Sequence, residues 1–258
     1  MDITADITQF NKLNQHITYL SQLNSELNQH AIVVITEARG IIINVNDKFC
    51  EISQYTRDEL LGNTHRLINS GFHGRDFFKE MWKTIKKGQV WKGEFCNKRK
   101  TGSLYWVYTT IVPLPGANHR PSGYIAIRTD ITSRKNADNK IYTIAFYDAL
   151  TSLPNRRFIM QTLEDITSQT HDEKAFYALM IIDLDHFKEV NDTSGHNQGD
   201  ELLCQVAERL KLFSGGNILA GRLGGDEFVV LVRTNGHDHS TAVMSSIKFP
   251  IKSGKNLV

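Results

Sequence analysis

Cysteine is scarce in this chain of 258 residues, which contains only Cys50, Cys96 and Cys204. An odd number of cysteines with no Cys-x-x-Cys pair favours neither a disulfide framework nor a zinc site. Long apolar runs are also missing, because no stretch reaches the roughly 18 residues that a membrane helix needs. The first residues, MDITADITQFNK, lack the basic start and apolar core of a secretion signal. The sequence therefore predicts a cytoplasmic protein with reduced thiols and no membrane partner.

The chain also lacks an excess of charge of either sign. Its 30 basic and 28 acidic residues give a net charge of +2, so we expect no nucleic-acid partner. Hydrophobic residues make up 40% of the chain and charged residues 22%, which is ordinary for a globular protein. At this length the chain can form two domains, each with its own core.

Residues 1–28 contain no glycine or proline and carry apolar residues at heptad spacing. The apolar positions are Ile3, Phe10 and Ile17 at heptad position a, with Leu13, Leu20 and Leu27 at position d. Asn24 also falls at an a position, where asparagine favours a two-stranded coiled coil. The alternative is an amphipathic helix that packs on its own domain. Both interpretations predict an N-terminal helix over residues 1–28.

From Ala31 onward, short β-type runs replace the heptads. The segment AIVVITEARGIIINVN is typical of two strands joined by a turn at Arg39-Gly40. Helical segments follow around DKFCEISQY and DFFKEMWKTIKKG, and three strand-like runs come next, VWKGEFCNKRK, SLYWVYTTIVPL and GYIAIRTDI. This order predicts an α+β domain with an antiparallel sheet and flanking helices.

An ordered set of words runs through this region: NVNDKFCEISQY, DELLGNTHRLINSG, GQVWKGEFCNKRKTGSLYWVYTTIVPL and YIAIRTDIT. Together they resemble a PAS domain, which we assign to residues 29–133. The resemblance implies a five-stranded antiparallel sheet and a sensory role. The closing Asp130-Ile131-Thr132 is similar to the signature with which many PAS sensors pass to an output helix.

Four residues of this region are candidate ligand contacts: Trp82, Trp91, Asn97 and Tyr105. Their spacing is similar to that in the flavin-binding PAS domains of aerotaxis receptors, and this resemblance implies FAD as a cofactor. The Arg-His-x-Asp stretch of those receptors is not present here. We favour the alternative that these residues are core aromatics with an asparagine at a strand turn.

After the PAS-like region, a polar stretch carries a narrow apolar seam. The seam consists of Ile131, Ile141, Ile144 and Ala145. We expect a stiff linker helix over residues 134–147. A helix from Arg156, a strand AFYALMIIDLD, a long helix ELLCQVAERLKLF and a strand FVVLV then alternate. The alternation predicts an α/β domain over residues 148–258 whose sheet has parallel members.

Two acidic clusters, IIDLDHFKEVND and RLGGDEF, lie at strand ends of this second domain. Alternate side chains of a strand face one way, so Asp183 and Asp185 are expected on one face. Gly224-Gly225 form a tight turn that would bring Asp226 and Glu227 opposite them. Converging carboxylates favour a hard divalent cation, and Mg²⁺ takes one or two carboxylates together with phosphate oxygens and water.

Residues suited to a nucleotide lie between the two clusters. Lys188 can act as a point charge on phosphates, and the amides near His186-Phe187 open a helix where a phosphate is favoured. Asn191 and Asp200 suit a purine edge. Either acidic cluster alone is often only a helix cap or a hairpin. Their occurrence together favours metal-assisted nucleotidyl transfer, in which catalysis is mostly positioning and charge neutralisation.

Three words, DALTSLPNRRF, DLDHFKEVNDTSGHNQGDELL and RLGGDEF, closely resemble successive signatures of the GGDEF family of diguanylate cyclases. The resemblance implies GTP as substrate and a fold similar to adenylate cyclases and polymerase palms. It assigns Mg²⁺ to Asp183, Asp226 and the carbonyl of Leu184, guanine to Asn191 and Asp200, and phosphate to His186, Phe187 and Lys188.

The same resemblance implies the chemistry of the site. Asp226, with Glu227 beside it and Lys188 on the phosphates, would assist attack of a 3′-hydroxyl on the α-phosphorus of a partner GTP. Two facing subunits of a homodimer, each holding one GTP, would make cyclic di-GMP. We expect residues 1–28 and 131–147 to provide the dimer contact.

The alternative is a GTP-binding regulatory module without turnover, from a parent with a downstream phosphodiesterase domain. The GGDEF family domain normally continues past the Gly-Gly hairpin with a further strand and a last helix whose basic residues touch the GTP phosphates. This chain stops at FPIKSGKNLV. We therefore expect a GGDEF domain over residues 148–258 that is truncated at its C-terminal end.

Overall fold

The computed structural model describes residues 31–117, 120–168 and 176–234, together with two short paired strands, Lys252–Ser253 and Asn256–Leu257. The helix predicted over residues 1–28 lies outside the described residues. Contacts divide the chain into two units, residues 1–137 and residues 138–258.

The first unit has a five-stranded sheet, with helices inserted between its second and third strands. The strands are β1 (Ile32–Glu37), β2 (Ile42–Val45), β3 (Trp91–Lys98), β4 (Leu104–Leu114) and β5 (Gly123–Asp130). The helices are α1 (Asp47–Ser53), α2 (Arg57–Leu60) and α3 (Arg75–Lys86), with a 3-10 turn at His65–Ile68. The strand order β2-β1-β5-β4-β3, antiparallel throughout, confirms the predicted α+β fold.

Alternation along the strands builds the core of this unit. In β4, every second residue from Tyr105 to Ile111 is buried, which is the period-two pattern of a strand with one covered face. β5 pairs with both β4 and β1, so its buried residues Tyr124, Ala126 and Arg128 lie in the middle of the inner face. Side chains from α1 and α3 complete the core: Phe49, Met81 and Ile85.

Short polar side chains determine where the first helices begin. The Oδ1 atom of Asn46 accepts hydrogen bonds from the amides of Phe49 at 3.2 Å and Val33 at 3.0 Å, so one side chain caps α1 and joins it to β1. Thr56 and Glu59 form a capping box on α2. The sequence predicted no helix between α1 and α3, because elements of four residues are too short to show a helical period.

The predicted linker helix is present as α4 (Thr132–Phe146). Its first turn is bonded to the sheet of the first unit. The amide of Thr132 donates to Asp130 Oδ1 at 2.8 Å, and Lys135 forms an ion pair with Glu94 of β3 at 2.6 Å. The N-terminal end of α4 is therefore held by both β5 and β3.

The elements of the second unit follow the predicted order. They are α5 (Arg156–Ser168), β6 (Phe176–Ile182), α6 (Phe187–Ser194), α7 (His196–Phe213), β7 (Ile218–Gly224) and β8 (Glu227–Thr234). The central strand β8 carries the core, since Phe228 to Val232 are all at most 4% exposed. α7 packs on the sheet through Leu203, Val206 and Leu210, which recur at helical spacing.

The prediction of a sheet with parallel members is confirmed for the direction of β6 and β7, whereas the strand pairings described in this sheet are antiparallel. The order of the three strands is β6-β8-β7. β6 and β7, which α6 and α7 connect, do run in the same direction, because each is antiparallel to β8. They share no ladder because the β7–β8 hairpin places β8 between them.

No helix in the described part of the chain has both the length and the apolar composition needed to cross a membrane.

Candidate active site

Gly224 and Gly225 form the tight turn that the sequence predicted between β7 and β8. Gly224 pairs with Glu227 across the hairpin, so Gly225 and Asp226 form a two-residue loop. The φ angles of the two glycines are 140° and 54°, a region that other residues rarely adopt. The turn therefore places Asp226 at its tip and Glu227 at the start of β8.

Strand register brings Asp183 to the same end of the sheet as this turn. Ile182, the last residue of β6, pairs with Phe228, the second residue of β8. One residue further along each strand stand Asp183 and Glu227. Opposed residues of an antiparallel pair lie about 4.5 to 5.5 Å apart between Cα atoms. The structure thus places Asp183 at the same end of the sheet as Asp226 and Glu227.

This end of the sheet offers the donors that Mg²⁺ prefers. Asp183 is exposed and Asp226 is half-buried, and the main-chain carbonyl of Leu184 follows Asp183 directly. Within the described ranges, no three His, Cys, Asp or Glu side chains are arranged to hold a metal by themselves. Mg²⁺ usually takes one or two carboxylates and completes its shell with water and substrate phosphates. The residues fit a magnesium ion that binds together with a nucleotide.

The segment after β6 departs from the prediction in one respect. Because β6 ends at Ile182, strand alternation does not place Asp183 and Asp185 on one face, and Asp185 lies instead in the turn before α6. His186 has a left-handed backbone, with a φ of 60°, and α6 begins directly after it. The end of β6 at Ile182 could not be predicted from the sequence, because the apolar pattern continues through Leu184.

The first turn of α6 gathers groups that favour an anion. His186 Nδ1 lies 2.9 Å from Glu189 Oε1, and this contact raises the pKa of the exposed imidazole and favours its cationic form. Lys188 is exposed beside it. The amides of a first helical turn also attract phosphate. His186, Phe187 and Lys188 therefore stand together at a position suited to phosphate.

Asn191 and Asp200 lie where α6 meets α7. A Cβ built on Gly199 would come within 2.0 Å of Asn191 Oδ1 and 3.2 Å of Phe187 Cζ. Only a glycine permits this approach, which sets the Asn191 amide against the turn of α7 that carries Asp200. An amide and a carboxylate offer both donors and acceptors to a purine edge.

An ion pair that was not predicted from the sequence connects the Gly-Gly turn to the first residues of the GGDEF-like unit. Arg222 Nη1 donates to Asp148 Oδ1 at 3.0 Å, and its Nε and Nη2 donate to the carbonyl of Gly225 at 3.0 and 2.7 Å. Partial burial alone would raise the pKa of Asp148, but hydrogen bonds from Thr151 and Arg222 outweigh it and hold the pKa below its ordinary value. Asp148 lies in the motif DALTSLPNRRF and Arg222 in the motif RLGGDEF, and these two motifs were the sequence features that could have pointed to the pair.

Asn155 was also missed, and it bonds the same loop to the end of α4. Its backbone amide donates to the carbonyl of Phe146 at 2.9 Å, and its Nδ2 donates to that of Ala145 at 3.0 Å. Its Oδ1 accepts from the amide of Phe158 at 3.1 Å and caps α5. The loop of residues 147–155 is therefore bonded to the C-terminal end of α4 and, through Asp148, to the Gly-Gly turn.

The first unit contains a cavity of about 870 Å³, lined by the inner face of the sheet and by α3. Trp82 and Asn97, two of the four candidate ligand contacts, line it. Trp91 does not, and its ring instead lies edge-on to Phe77 with centroids 5.6 Å apart. Tyr105 is 1% exposed and belongs to the core. Trp91 and Tyr105 are therefore core residues, whereas Trp82 and Asn97 are placed where they can contact a ligand in the cavity.

Comparison with protein families identifies both units. A PAS domain family matches residues 29–133, and the family described as diguanylate cyclase, GGDEF domain, matches residues 145–256. Residues 29–133 therefore belong to the PAS family, and residues 145–256 belong to the GGDEF family. Both resemblances seen in the sequence are thereby confirmed for this PAS-GGDEF protein.

Named relatives of the PAS-GGDEF chain include two cyclases. Probable diguanylate cyclase DgcE of Escherichia coli strain K12 is 29% identical over 237 residues, which cover 85% of this chain and 21% of DgcE. Diguanylate cyclase DgcM of the same strain is 34% identical over 157 residues, 61% of this chain and 38% of DgcM. The aerotaxis receptor of Escherichia coli strain K12 is 35% identical over 120 residues, which cover 46% of this chain and 24% of the receptor. The chain thus spans less than two fifths of the length of these relatives.

Proposed function

We propose that this protein is a diguanylate cyclase that condenses two GTP molecules into cyclic di-GMP with Mg²⁺, under the control of its PAS domain. The observation that carries the proposal is the register of β6 and β8, which brings Asp183 to the same end of the sheet as Asp226 and Glu227. Membership of the GGDEF family and similarity to named diguanylate cyclases support the reaction class.

The proposed GTP site spans the two acidic clusters and the helices between them. Asn191 and Asp200 bind the guanine edge at the meeting of α6 and α7. His186, the amides near Phe187 and the ammonium of Lys188 bind phosphate oxygens at the start of α6. Because GTP is the substrate, we place the protein in the cytoplasm.

In the proposed reaction, the 3′-oxygen of one GTP bonds to the α-phosphorus of another, and pyrophosphate leaves. A second such step closes the ring and releases a second pyrophosphate. Asp226, with Glu227 beside it, accepts the proton of the attacking hydroxyl, and Lys188 offsets the charge on the departing phosphates. Asp183, Asp226 and the Leu184 carbonyl would hold Mg²⁺, which would neutralise charge on the phosphoryl oxygens.

One site holds one GTP, so the cyclic product requires two copies of the chain. α4 has no buried residue, and its Ile141 and Ile144 are 65% and 80% exposed. Residues three apart lie on one face of a helix, so we propose that this face and residues 1–28 pair two copies. Mass measurement in solution tests this: a dimer that Ile144→Asp weakens is expected, and a wild-type monomer at assay concentration would contradict it.

We propose FAD as a candidate ligand of the PAS cavity, supported by its volume and by Trp82 and Asn97 in its wall. An absorption spectrum of the purified protein tests this proposal. Flavin bands are expected, and a protein that neither carries nor takes up FAD would contradict it.

The cyclase itself is tested by incubating the purified chain with GTP and either Mg²⁺ or EDTA. Cyclic di-GMP that forms only with Mg²⁺ is the expected result. GTP binding without product would instead support the alternative of a regulatory module. A protein that neither binds GTP nor forms product would contradict both the cyclase proposal and the regulatory alternative.

A further inference from the structure

Buried polar atoms without partners gather in one place in the PAS unit. In the described part of the chain, five buried side-chain nitrogen or oxygen atoms have no hydrogen-bond partner. They are His65 Nε2, Tyr105 Oη, Thr109 Oγ1, and Arg128 Nε and Nη1. Tyr105 Oη has no partner of good hydrogen-bond geometry, but it is close enough to the Asn97 side chain for that group to lower its pKa. Buried polar groups are normally paired, because leaving them unpaired costs free energy. Five such atoms in a single domain therefore need a common explanation.

The common feature is the guanidinium of Arg128. Thr109 of β4 is its cross-strand partner, and directly opposed side chains lie on the same face of a sheet. Tyr105 is four residues from Thr109 on that strand, so it faces the same way. The positive charge of Arg128 lowers the pKa of His65, after the larger effect of burial, and opposes the effect of burial on Tyr105, whose pKa is raised to about 12. Thr109, Tyr105 and His65 thus all lie around the Arg128 cation.

Arg128 is a buried charge with no counter-charge in the described residues. It is 5% exposed, and none of the ion pairs found there includes it. Burial lowers its pKa to about 10, so it remains cationic at neutral pH. Its nearest described aromatic contact is the ring of Phe49 at 5.5 Å. A buried cation without a carboxylate is costly unless something else supplies the negative charge.

Arg128 and His65 both line the 870 Å³ cavity, and the charge of its wall has one sign. The cationic lining residues are Arg39, Arg66, Arg75, Lys86 and Arg128. No aspartate or glutamate is among the described residues of the wall. The first four are exposed, so Arg128 is the cation placed inside. A cavity lined by charges of one sign concentrates ligands of the opposite sign.

The remaining wall suits an apolar ring. Trp82 lies against the backbone of Gly40, where an added Cβ would come within 3.0 Å of its indole, and meets Tyr124 edge-on with centroids 5.8 Å apart. Phe78 and Met81 add apolar surface. Sites for small molecules are typically about 300 to 1,000 Å³, mostly apolar, with a few polar groups that orient the ligand.

We propose that the PAS cavity binds an acidic ligand, whose carboxylate or phosphate pairs with Arg128 and whose apolar ring lies against Trp82. The acid oxygens supply acceptors for the free guanidinium donors and the counter-charge that the protein omits. A small organic acid and a nucleotide cofactor such as FAD share this chemistry. The assignment stands on the PAS unit alone and does not depend on the cyclase reaction.

Two ligand pairs test the proposal on the full chain, freed of bound small molecules by dialysis. Benzoate is compared with benzamide, and FAD with riboflavin, so each pair shares a ring and differs in the acid group. Binding is detected as a rise in the midpoint temperature of thermal unfolding. Unfolding is followed by tryptophan fluorescence, because Trp82, Trp91 and Trp106 all lie in the PAS unit. At least one acid is expected to raise the midpoint and bind at least tenfold more tightly than its neutral partner. If only benzoate binds, the ligand is a small organic acid. If only FAD binds, the ligand is a nucleotide.

Variants decide whether Arg128 is responsible. Arg128→Met is expected to weaken the acid at least tenfold without lowering the midpoint of the ligand-free protein, because a buried charge is removed. The control Lys92→Met removes an exposed charge outside the cavity and should bind as the wild type does. Should Arg128→Met fail to fold, Arg128→Lys is expected to fold and bind the acid more weakly. Equal binding of acid and neutral partners, absence of acid binding, or unchanged binding in the folded Arg128 variant would overturn the proposal.

Discussion

Arg222 joins Asp148 to the carbonyl of Gly225 by hydrogen bonds of 3.0 and 2.7 Å, across 74 residues of sequence. The loop that carries Asp148 is bonded through Asn155 to the last residues of α4. A movement of the C-terminal end of α4 would therefore act directly on the turn that positions Asp226. Under the proposed control of the cyclase by the PAS domain, this chain of contacts is the physical route.

Replacing Arg222 with alanine should destabilise the GGDEF unit. The change leaves Asp148 partly buried without its cation and removes both donors to Gly225, a loss of about 1 to 3 kcal/mol in free energy of unfolding. Urea unfolding followed by far-UV circular dichroism should show the loss. The transition seen by tryptophan fluorescence should stay in place, because every tryptophan is in the PAS unit.

The matched control is Lys211→Ala, which breaks an exposed pair on α7. Lys211 lies 2.7 Å from Glu208, and their side chains are 36% and 71% exposed. Pairs of this kind contribute less than about 0.5 kcal/mol. An Arg222→Ala protein that is no less stable than Lys211→Ala would show that the Asp148 pair has no structural role.

Gly199→Ala should damage the proposed guanine site more than the fold around it. The added Cβ would lie 2.0 Å from Asn191 Oδ1, so the Asn191 side chain or the start of α7 must shift. Such overpacking costs about 1 to 3 kcal/mol, and we expect GTP affinity to fall at least tenfold in equilibrium dialysis. Gly74→Ala is the control, because a Cβ there meets nothing within 4 Å. Unchanged GTP affinity in Gly199→Ala would place the guanine elsewhere.

The sequence predicted the PAS sheet well because its signals are local. Alternation in β4 and the turn at Arg39-Gly40 depend on neighbouring residues, and β4 and β5 are found where they were expected. The GGDEF sheet was harder to predict. Strand order depends on how distant segments pair, and no local pattern shows that β8 lies between β6 and β7.

The same limit explains which site residues were found. Asp183, Asp226 and Glu227 stand at strand ends, so local patterns were enough to name them as candidates, whereas the β6–β8 pairing that places them at one end of the sheet is long-range. The pairing of Asp148 with Arg222 is also long-range and could not be inferred from local patterns. Arg128 was overlooked for another reason: in the alternating strand GYIAIRTDI it occupies an inward position, where an unpaired cation is not expected.

The PAS unit should lose stability as the pH falls below about 6.5. The pKa of His65 in the folded protein lies well below 6.5, because of burial and then of Arg128. Between the folded pKa and 6.5 the unfolded chain binds a proton that the folded chain does not, so stability rises with pH in this window. The slope for one such group is at most about 1.4 kcal/mol per pH unit.

Urea unfolding followed by tryptophan fluorescence between pH 7.5 and 5.5 measures this slope. His65→Asn should make it shallower, and His196→Asn, in the GGDEF unit, should leave it unchanged. A residual slope from His73, whose pKa burial also lowers, is expected in both variants. A His65→Asn protein with the wild-type slope would show that folding does not lower the pKa of His65.

The most direct test of the cyclase is a comparison of Asp226→Asn with Asp185→Asn. Asp226 lies at the tip of the Gly-Gly turn, beside Glu227 and at the same end of the sheet as Asp183, whereas Asp185 lies in the turn before α6. Cyclic di-GMP formed from GTP and Mg²⁺ is measured for both variants and the wild type. We predict product from the wild type, a loss of at least a hundredfold in Asp226→Asn, and retained product in Asp185→Asn. Wild-type rates in Asp226→Asn would contradict the assigned active site.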